Sequence, residues 1–215
     1  MTIEFERVGL GTTYIPYLQA WDYQKSLHDE VAADQRSPRV LFLEHEAVYT
    51  AGRRTEPEDL PQDGTPVVDV DRGGQLTWHG PGQLIGYPIV KLKQINAIRR
   101  YVETLEEALM NVLKDLGIET IQVKGRSGVW VPSRDGGEDR KIAAIGIRIN
   151  HGVTMHGFAL NCSNSLAPYE QIIPCGISDA GVTTISAELG REVSPSDVVD
   201  RVQQELEHLL SPQVV

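Results

Sequence analysis

An α+β domain with a mixed or antiparallel sheet is the fold class that this sequence predicts. Runs of β-prone residues outnumber the helical patterns, cluster in the middle of the chain, and do not alternate regularly with helices. A doubly wound parallel sheet requires that alternation, so the pattern disfavours it. The 215 residues are enough for one well-packed domain, and we find no repeat or linker that would divide the chain.

Four segments are predicted as helices from the spacing of their apolar residues. They are residues 16–36, 97–116 and 194–210, with 183–190 as a further short helix. Asn96 is placed to cap the start of the second helix and Gly117 its end. Ser194 is the expected N-cap of the last helix, with Pro195 at its first position.

The predicted strands are short apolar runs bounded by glycine, proline and charged residues. They are RVLFLEH (39–45), several runs within 67–92, GVWVP (128–132), KIAAIGIRI (141–149) and VTMHGFALN (153–161). Residues 51–66, rich in glycine, proline and charge, are predicted as a long loop. NHG, residues 150–152, is predicted as a three-residue hairpin connection.

The bulk composition limits the partners and the compartment. Twenty basic and thirty acidic residues give a net charge of −10, which disfavours nucleic acid and anionic membranes as partners. The N-terminus lacks the basic and apolar regions of a signal peptide, and no apolar run is long enough to span a membrane. Two cysteines make no disulfide framework, so we expect a cytoplasmic protein with reduced thiols.

Residues 71–83, DRGGQLTWHGPGQ, combine closely spaced glycines with four polar side chains. Adjacent glycines after Arg72 let the backbone approach a ligand. The spacing matches neither a Walker loop nor a GxGxxG fingerprint. A glycine-rich hairpin with a hydrogen-bonded His79 explains the same stretch without a ligand.

A second candidate for chemistry is IIPCGI, residues 172–177, where Cys175 lies between proline and glycine. A reactive thiol needs a nearby cation or oriented backbone amides to form its thiolate. Lys141, at the start of an apolar strand, is a candidate cation, although an isolated lysine at the solvent end of a strand is more often inert. Cys162 is expected to be a small, partly buried apolar residue. No His or Cys pair has zinc-ligand spacing, so we expect no metal.

RGGQLTWHGPGQLIGYPI, KIAAIGIRI, GFALN and IIPCGI occur in this order and resemble the octanoyltransferases of lipoate synthesis. The resemblance covers most of the chain. It implies a single octanoyltransferase catalytic domain over residues 1–215, with a mixed sheet flanked by helices, similar to the catalytic domain of biotin and lipoate protein ligases. It also implies transfer of an octanoyl group from acyl carrier protein to a lysine of a lipoyl domain.

The same resemblance implies roles for individual residues. Cys175 matches the family's acyl-thioester nucleophile, and Lys141 matches the lysine that lowers its pKa and serves as acid and base. The segments that match the acyl pocket are Arg72, Gly73, Gly74, Gln75, Leu76, Thr77, Trp78 and His79, then Ala144, Ile145 and Gly146, then Gly157, Phe158 and Ala159. Trp78 and Tyr169 stand where tyrosine and phenylalanine are usual, and an acidic DGGED insertion precedes Lys141.

The implied donor is already a thioester, so the reaction needs no nucleotide and no cofactor beyond the phosphopantetheine of acyl carrier protein. The implied acceptors are the E2 subunits of 2-oxoacid dehydrogenases and the glycine cleavage H protein, and we expect a monomer. Two alternatives remain open. An ATP-dependent lipoate-protein ligase of the same fold would not need the PCGI cysteine, and a non-catalytic acyl-binding module would form no covalent adduct.

Overall fold

The computed structural model describes residues 2–61, 65–94, 98–134, 136–172 and 180–215. Its helices are α1 (Tyr17–Ala32), α2 (Ile98–Asp115), α3 (Ile185–Leu189) and α4 (Pro195–Leu210). Its strands are β1 (Glu4–Arg7), β2 (Arg39–Leu43), β3 (Val48–Ala51), β4 (Val67–Asp69), β5 (Leu76–His79), β6 (Gln83–Ile89), β7 (Ile121–Val123), β8 (Arg126–Val131), β9 (Arg140–Asn150), β10 (Val153–Asn161) and β11 (Gly181–Val182).

Eight of the strands in the described ranges form one large sheet in the order β1-β2-β6-β10-β9-β8-β7, with β11 paired to β9. The β1–β2 and β9–β11 pairs are parallel and the others antiparallel. The central strands β6 and β10 are buried along their whole length, because helices cover both faces of the sheet. The predicted mixed sheet flanked by helices is confirmed.

The two faces of the large sheet carry separate parts of the core. Helices α2 and α4 pack together on one face, where Leu105, Leu109, Val202 and Leu206 contact the apolar side chains of the sheet. Helix α1 covers the other face, and its Leu27 packs against β2, β6 and β10. The strongly amphipathic pattern of α2 and α4 follows from this one-sided burial.

The helix ends follow the predicted capping residues where these are described. The side chains of Ser194 and Asp197 form a reciprocal capping box at the start of α4, with Pro195 in the first turn. Gly117 follows α2 with a left-handed φ of 84°, a conformation that glycine adopts without strain. Asn96, the predicted cap of α2, lies outside the described residues.

The strands β4-β3-β5 form a second, three-stranded sheet that lies on the same side of the large sheet as α1. Its Val48 and Val70 pack against Tyr17 of α1, and the loop before β5 reaches the large sheet where the Gly73 N–H bonds to the Ile147 carbonyl. The sequence pattern did not predict β3, because only four residues separate the end of β2 from its start. The site described below lies in the angle between the two sheets.

The β9–β10 connection differs from the prediction. Asn150 pairs with Val153, so the loop has two residues rather than three. His151 and Gly152 both have positive φ angles, 48° and 77°, as a type I′ turn requires. In the part of the chain that the structure describes, no helix combines the length and apolarity needed to cross a membrane.

Candidate active site

A cavity lies between the small sheet, α1 and the middle of β9 and β10. It contains about 460 Å³ of empty space, including the solvent at its mouth. Its described lining is Tyr17, Arg72, Gly73, Gly74, Thr77, His79, Tyr87, Ala144, Ile145, Gly146, His156, Gly157, Phe158 and Ala159.

Two facing glycines let other parts of the backbone come close to β9 and β10 at the cavity floor. The Arg72 loop lies against the first and β6 against the second. Gly146 of β9 pairs with Gly157 of β10. A Cβ on Gly146 would lie 2.9 Å from Cδ of Arg72, and one on Gly157 would lie 2.1 Å from the carbonyl oxygen of Gly86. Both positions therefore need glycine for close approach.

Arg72 holds the loop before β5 against β3. Its Nη1 donates to the carbonyls of Gly73 and Gln75 at 3.0 and 2.8 Å, and its Nη2 donates to the carbonyl and hydroxyl oxygens of Thr50 at 2.6 and 2.8 Å. The guanidinium is thus buried among carbonyl oxygens beside the cavity, where it fixes the backbone of the two glycines that follow it.

His79 is a neutral, hydrogen-bonded histidine at the cavity wall. Burial, the neighbouring His45 and Arg72 lower the pKa of His79 to about 3. Its Nδ1–H donates to the Gln83 amide oxygen at 2.8 Å. Because Arg72 donates to the Thr50 hydroxyl, that hydroxyl is free to donate to His79 Nε2, 3.5 Å away.

Two further neutral histidines, His45 and His156, lie next to Tyr17 and Tyr87. Burial lowers the pKa of His45 to about 4 and, with Arg72 and Arg148, that of His156 to about 3. His45 donates from Nδ1 to the Ile15 carbonyl at 2.8 Å and accepts the Tyr87 hydroxyl at Nε2, 2.7 Å away. Burial also raises the pKa of Tyr17 to about 12, so the tyrosine stays a hydrogen-bond donor.

His156 is held in an unusual backbone conformation inside β10. Its φ is 57°, in the left-handed region that costs free energy for a non-glycine residue. Its N–H donates to the side-chain oxygen of Gln24 at 2.9 Å, and its Nε2–H donates to Asp71 at 2.8 Å. Asp71 also forms an ion pair with Arg148, so the His156 ring is fixed with Nδ1 towards the Tyr17 hydroxyl, 3.4 Å away.

A β-bulge in β9 turns Lys141 towards the cavity face of the sheet. Val129 pairs with Ala143, but Trp130 pairs with Lys141, so Ile142 is the extra residue of the bulge. Ile142 and Ala143 both enter the core under α2 and α4. Lys141 therefore shares a face with the cavity-lining stretch that follows, about 10 Å further along the strand.

Most of the predicted pocket residues lie together, and three do not. The lining includes Arg72, Gly73, Gly74, Thr77 and His79 and all six predicted residues of β9 and β10. Leu76 and Trp78 point to the opposite face of β5 and pack with Tyr49 and Ile172, as strand alternation requires. Gln75 does not line the cavity either; its carbonyl receives the Arg72 hydrogen bond.

The two predicted catalytic residues differ in what the structure describes of them. Lys141 is buried, only 7% exposed, beside the cavity rather than among its described lining. Cys175 lies outside the described residues. The described chain resumes after it at Ala180, and the next strand, β11, pairs its Val182 with Lys141.

Sequence reasoning missed the aromatic and histidine part of the lining, namely Tyr17, Tyr87 and His156. Tyr17 and Tyr87 lie in segments whose apolar spacing is explained by core packing alone. His156 gave a usable signal, because it is a polar residue directly before glycine within an otherwise apolar strand. Among the described residues no group of three or more His, Cys, Asp or Glu side chains could hold a metal ion.

Comparisons with solved structures place this fold among known ligases. An archaeal bipartite lipoate protein ligase from Thermoplasma acidophilum has a TM-score of 0.70 at 15% identity, covering 98% of this chain and 84% of its own. The biotin protein ligase of Aquifex aeolicus has a TM-score of 0.53 at 12% identity, covering 99% of this chain and 70% of its own. At this identity the likeness concerns the fold alone.

Sequence comparisons are more specific. The lipoyl protein ligase A/B catalytic domain model matches residues 16–207. The octanoyltransferase of Paenarthrobacter aurescens is 59% identical over 205 residues, covering 95% of this chain and 92% of its own. That of Salinispora tropica is 55% identical over 205 residues, covering 95% of both chains. The chain therefore belongs to the octanoyltransferases of the lipoyl protein ligase A/B catalytic domain family.

Proposed function

We propose that this enzyme transfers octanoyl from octanoyl-acyl carrier protein to a specific lysine of a lipoyl domain, through a thioester on Cys175. The acceptors would be the E2 subunits of 2-oxoacid dehydrogenases and the glycine cleavage H protein. The protein would act as a single catalytic domain, as a monomer and in the cytoplasm. Its only prosthetic requirement would be the phosphopantetheine that carries the donor.

One observation carries the mechanism: a buried lysine lies on the strand that lines the cavity, and β11, the first strand after Cys175 in the sequence, pairs with that strand. Lys141 is on β9, three residues before the cavity-lining Ala144. The Thr183 N–H bonds to the Lys141 carbonyl at 3.0 Å, which anchors the chain that follows Cys175 next to this lysine. An ammonium group close to a thiol favours its thiolate.

The chemistry consists of two acyl transfers. In the first, the Cys175 thiolate attacks the donor carbonyl, a new C–S bond forms, and the bond to phosphopantetheine sulfur breaks. Lys141 gives its proton to the departing thiolate. In the second, the acceptor amine attacks the Cys175 thioester, an amide C–N bond forms, the C–S bond breaks, and Lys141 takes the proton of the amine.

The cavity would hold the acyl chain. Its glycines, Ala144, Ile145, Phe158 and Ala159 offer an apolar wall, and Arg72 fixes the loop that closes one side. The neutral state of His79 suits a wall next to an alkyl chain, since a charged imidazolium would need solvent or a counter-ion.

The test is transfer in the absence of ATP. Purified enzyme, octanoyl-acyl carrier protein and a lipoyl domain should give an octanoylated domain, and Cys175→Ser and Lys141→Ala should abolish it. Cys162→Ala is the matched control, because Cys162 is buried in the core and its replacement should leave transfer intact. Transfer that requires ATP, or that survives Cys175→Ser, would contradict the proposal.

A further inference from the structure

The surroundings of Lys141 raise a physical question that the proposed reaction does not answer. A lysine that is 7% exposed has lost most of its hydration, and a desolvated ammonium group needs a compensating partner. In the described part of the chain, no ion pair with an N–O distance of 4.0 Å or less includes Lys141. Its Nζ lies instead over an aromatic ring.

That ring belongs to Trp130, the residue opposite Lys141 on β8. The Lys141 Nζ lies 4.6 Å from the centroid of the Trp130 ring, within the distance of about 6 Å at which a cation is attracted to an indole face. Trp130 is 1% exposed, and its Nε1–H donates to the Arg126 carbonyl at 3.2 Å. The ring is therefore itself fixed in place.

A glycine lies beside the lysine stem, and its positive φ and the nearby Ala143 carbonyl oxygen, rather than the stem, are what require glycine there. Gly128 has a φ of 123°, and a Cβ there would lie 3.5 Å from Cε of Lys141 and 2.4 Å from the Ala143 carbonyl oxygen. The Gly128 N–H donates to Glu106 of α2 at 2.8 Å. Glu106 thus fixes the backbone beneath the lysine stem.

One carboxyl group also acts on Lys141. The charges of Glu106 and Lys141 attract each other, and Glu106 also accepts hydrogen bonds from the Gly128 N–H and the Gln122 side chain, whereas the Trp130 ring is the group over which Nζ lies at 4.6 Å. Arg140, the neighbour in β9, is paired with Glu188 of α3. No titratable residue of β11 faces Lys141, since that strand consists of Gly181 and Val182.

We propose that Trp130 is a positioning residue for Lys141: its indole face holds the ammonium group on the cavity side of β9, where it promotes the Cys175 thiolate. This role rests on the proposed function of Lys141. The interaction is electrostatic and directional, because the negative face of the ring attracts the cation. A lysine stem has several rotamers of similar energy, and the ring favours those that place Nζ over its face.

The test compares Trp130→Phe and Trp130→Leu in the otherwise intact enzyme. Phenylalanine keeps a weaker aromatic face, and leucine keeps only apolar volume. We expect the rate of Cys175 alkylation by iodoacetamide at neutral pH to fall about threefold for phenylalanine and about tenfold for leucine. The pH midpoint of alkylation should move upwards in the same order, which a loss of packing alone would not produce.

The chain provides a matched control. Lys25 Nζ lies 4.8 Å from the centroid of Trp21 on α1, and Lys25 is exposed, so Lys25→Ala removes a second cation–π pair without changing the rings around the cavity. It should leave the pH midpoint of Cys175 alkylation unchanged. Thermal unfolding of each variant shows whether it is folded.

A direct measurement covers the case in which Trp130→Leu does not fold. In ¹³C-lysine-labelled wild-type enzyme, the ε-methylene protons of Lys141, assigned by loss in Lys141→Arg, should be shifted upfield by the Trp130 ring current. Trp130→Phe should reduce that shift. An unshifted signal in the wild type, or an unchanged alkylation midpoint in a folded Trp130→Leu, would overturn the positioning role. A wild type that forms no Cys175 acyl-enzyme would instead overturn the proposed function.

Discussion

At the scale of single residues, the site combines neutral histidines with two basic side chains. His45, His79 and His156 are all buried, and burial lowers the pKa of each well below its usual value. Arg72 donates to surrounding carbonyl oxygens, and the Lys141 Nζ lies over an indole face. The general base of the reaction must therefore be sought outside these three histidines.

The depressed histidine pKa values predict how stability depends on pH. An unfolded histidine binds a proton below its usual pKa of about 6.5, but folded His79 does not do so until its pKa of about 3. Stability is therefore lost as pH falls from about 6.5 towards about 3, by up to about 2 kcal/mol per buried histidine at pH 5.

Urea unfolding at about pH 7 and pH 5 measures this effect. A His79→Gln variant should lose less stability over this interval than the wild type. His208→Gln is the control, because His208 is exposed on α4, and it should follow the wild-type curve. Equal losses in all three proteins would show that burial does not keep His79 neutral.

Lys141→Arg separates the charge of this residue from its proton transfer. Arginine remains a cation but does not release a proton near neutral pH. In Lys141→Arg, the rate of Cys175 alkylation should stay well above the rate in Lys141→Ala. The rate of octanoyl transfer should fall about 10²–10⁴-fold relative to the wild type. Lys124→Arg, on the exposed turn after β7, should match the wild type in both assays; full transfer in Lys141→Arg would refute the acid–base role.

At the scale of the elements, the β9–β10 hairpin supplies half of the described cavity lining. The bulge at Ile142 changes which face Lys141 occupies, and Gly146 lets the Arg72 loop lie on the sheet. Both strands are predicted from the sequence as short apolar runs on either side of the NHG connection. The bulge could not be predicted, since it depends on how β8 pairs with β9 rather than on any local signal.

Gly157→Ala should destabilise the fold at this hairpin. The new methyl group would lie 2.1 Å from the Gly86 carbonyl oxygen and 2.7 Å from Cδ of Pro88, and both belong to the backbone or ring of β6, which cannot move freely. Overpacking of this kind costs about 1–3 kcal/mol, measurable as a lower urea midpoint.

The matched control is Gly137→Ala in the polar loop before β9. A Cβ at Gly137 would meet only the Ser133 hydroxyl, at 3.4 Å. This variant should keep the wild-type midpoint. If the two substitutions had equal effects, close approach would not be the reason for glycine at position 157.

At the scale of the whole molecule, the cavity exists because a small sheet folds back over a large one. The α+β class and the amphipathic helices could be predicted from periodicity, and motif order identified the stretches that converge on the cavity. Two features of the structure could not be predicted from the sequence, namely strand β3 and the place of Tyr17 in the cavity lining. Strand β3 is too short for its pattern to be distinguished from a loop, and Tyr17 enters the cavity from a helix whose spacing already explains it as core.

The two cysteines are expected to differ in the reactivity of their thiols. Burial raises the pKa of the Cys162 thiol, with Glu44 and Asp197 acting in the same direction, so this cysteine should be inert. Cys175 belongs to the segment that leads into β11 beside Lys141. We therefore assign the covalent step to Cys175 and not to Cys162.

The most direct test of that central claim is the intact mass of the enzyme after incubation with octanoyl-acyl carrier protein alone. The account predicts the addition of one octanoyl group, removed by hydroxylamine and located on the peptide that contains Cys175. It should be absent from Cys175→Ser and present in Cys162→Ala. An adduct on Cys162, or no adduct in an enzyme that still octanoylates lipoyl domains, would contradict it.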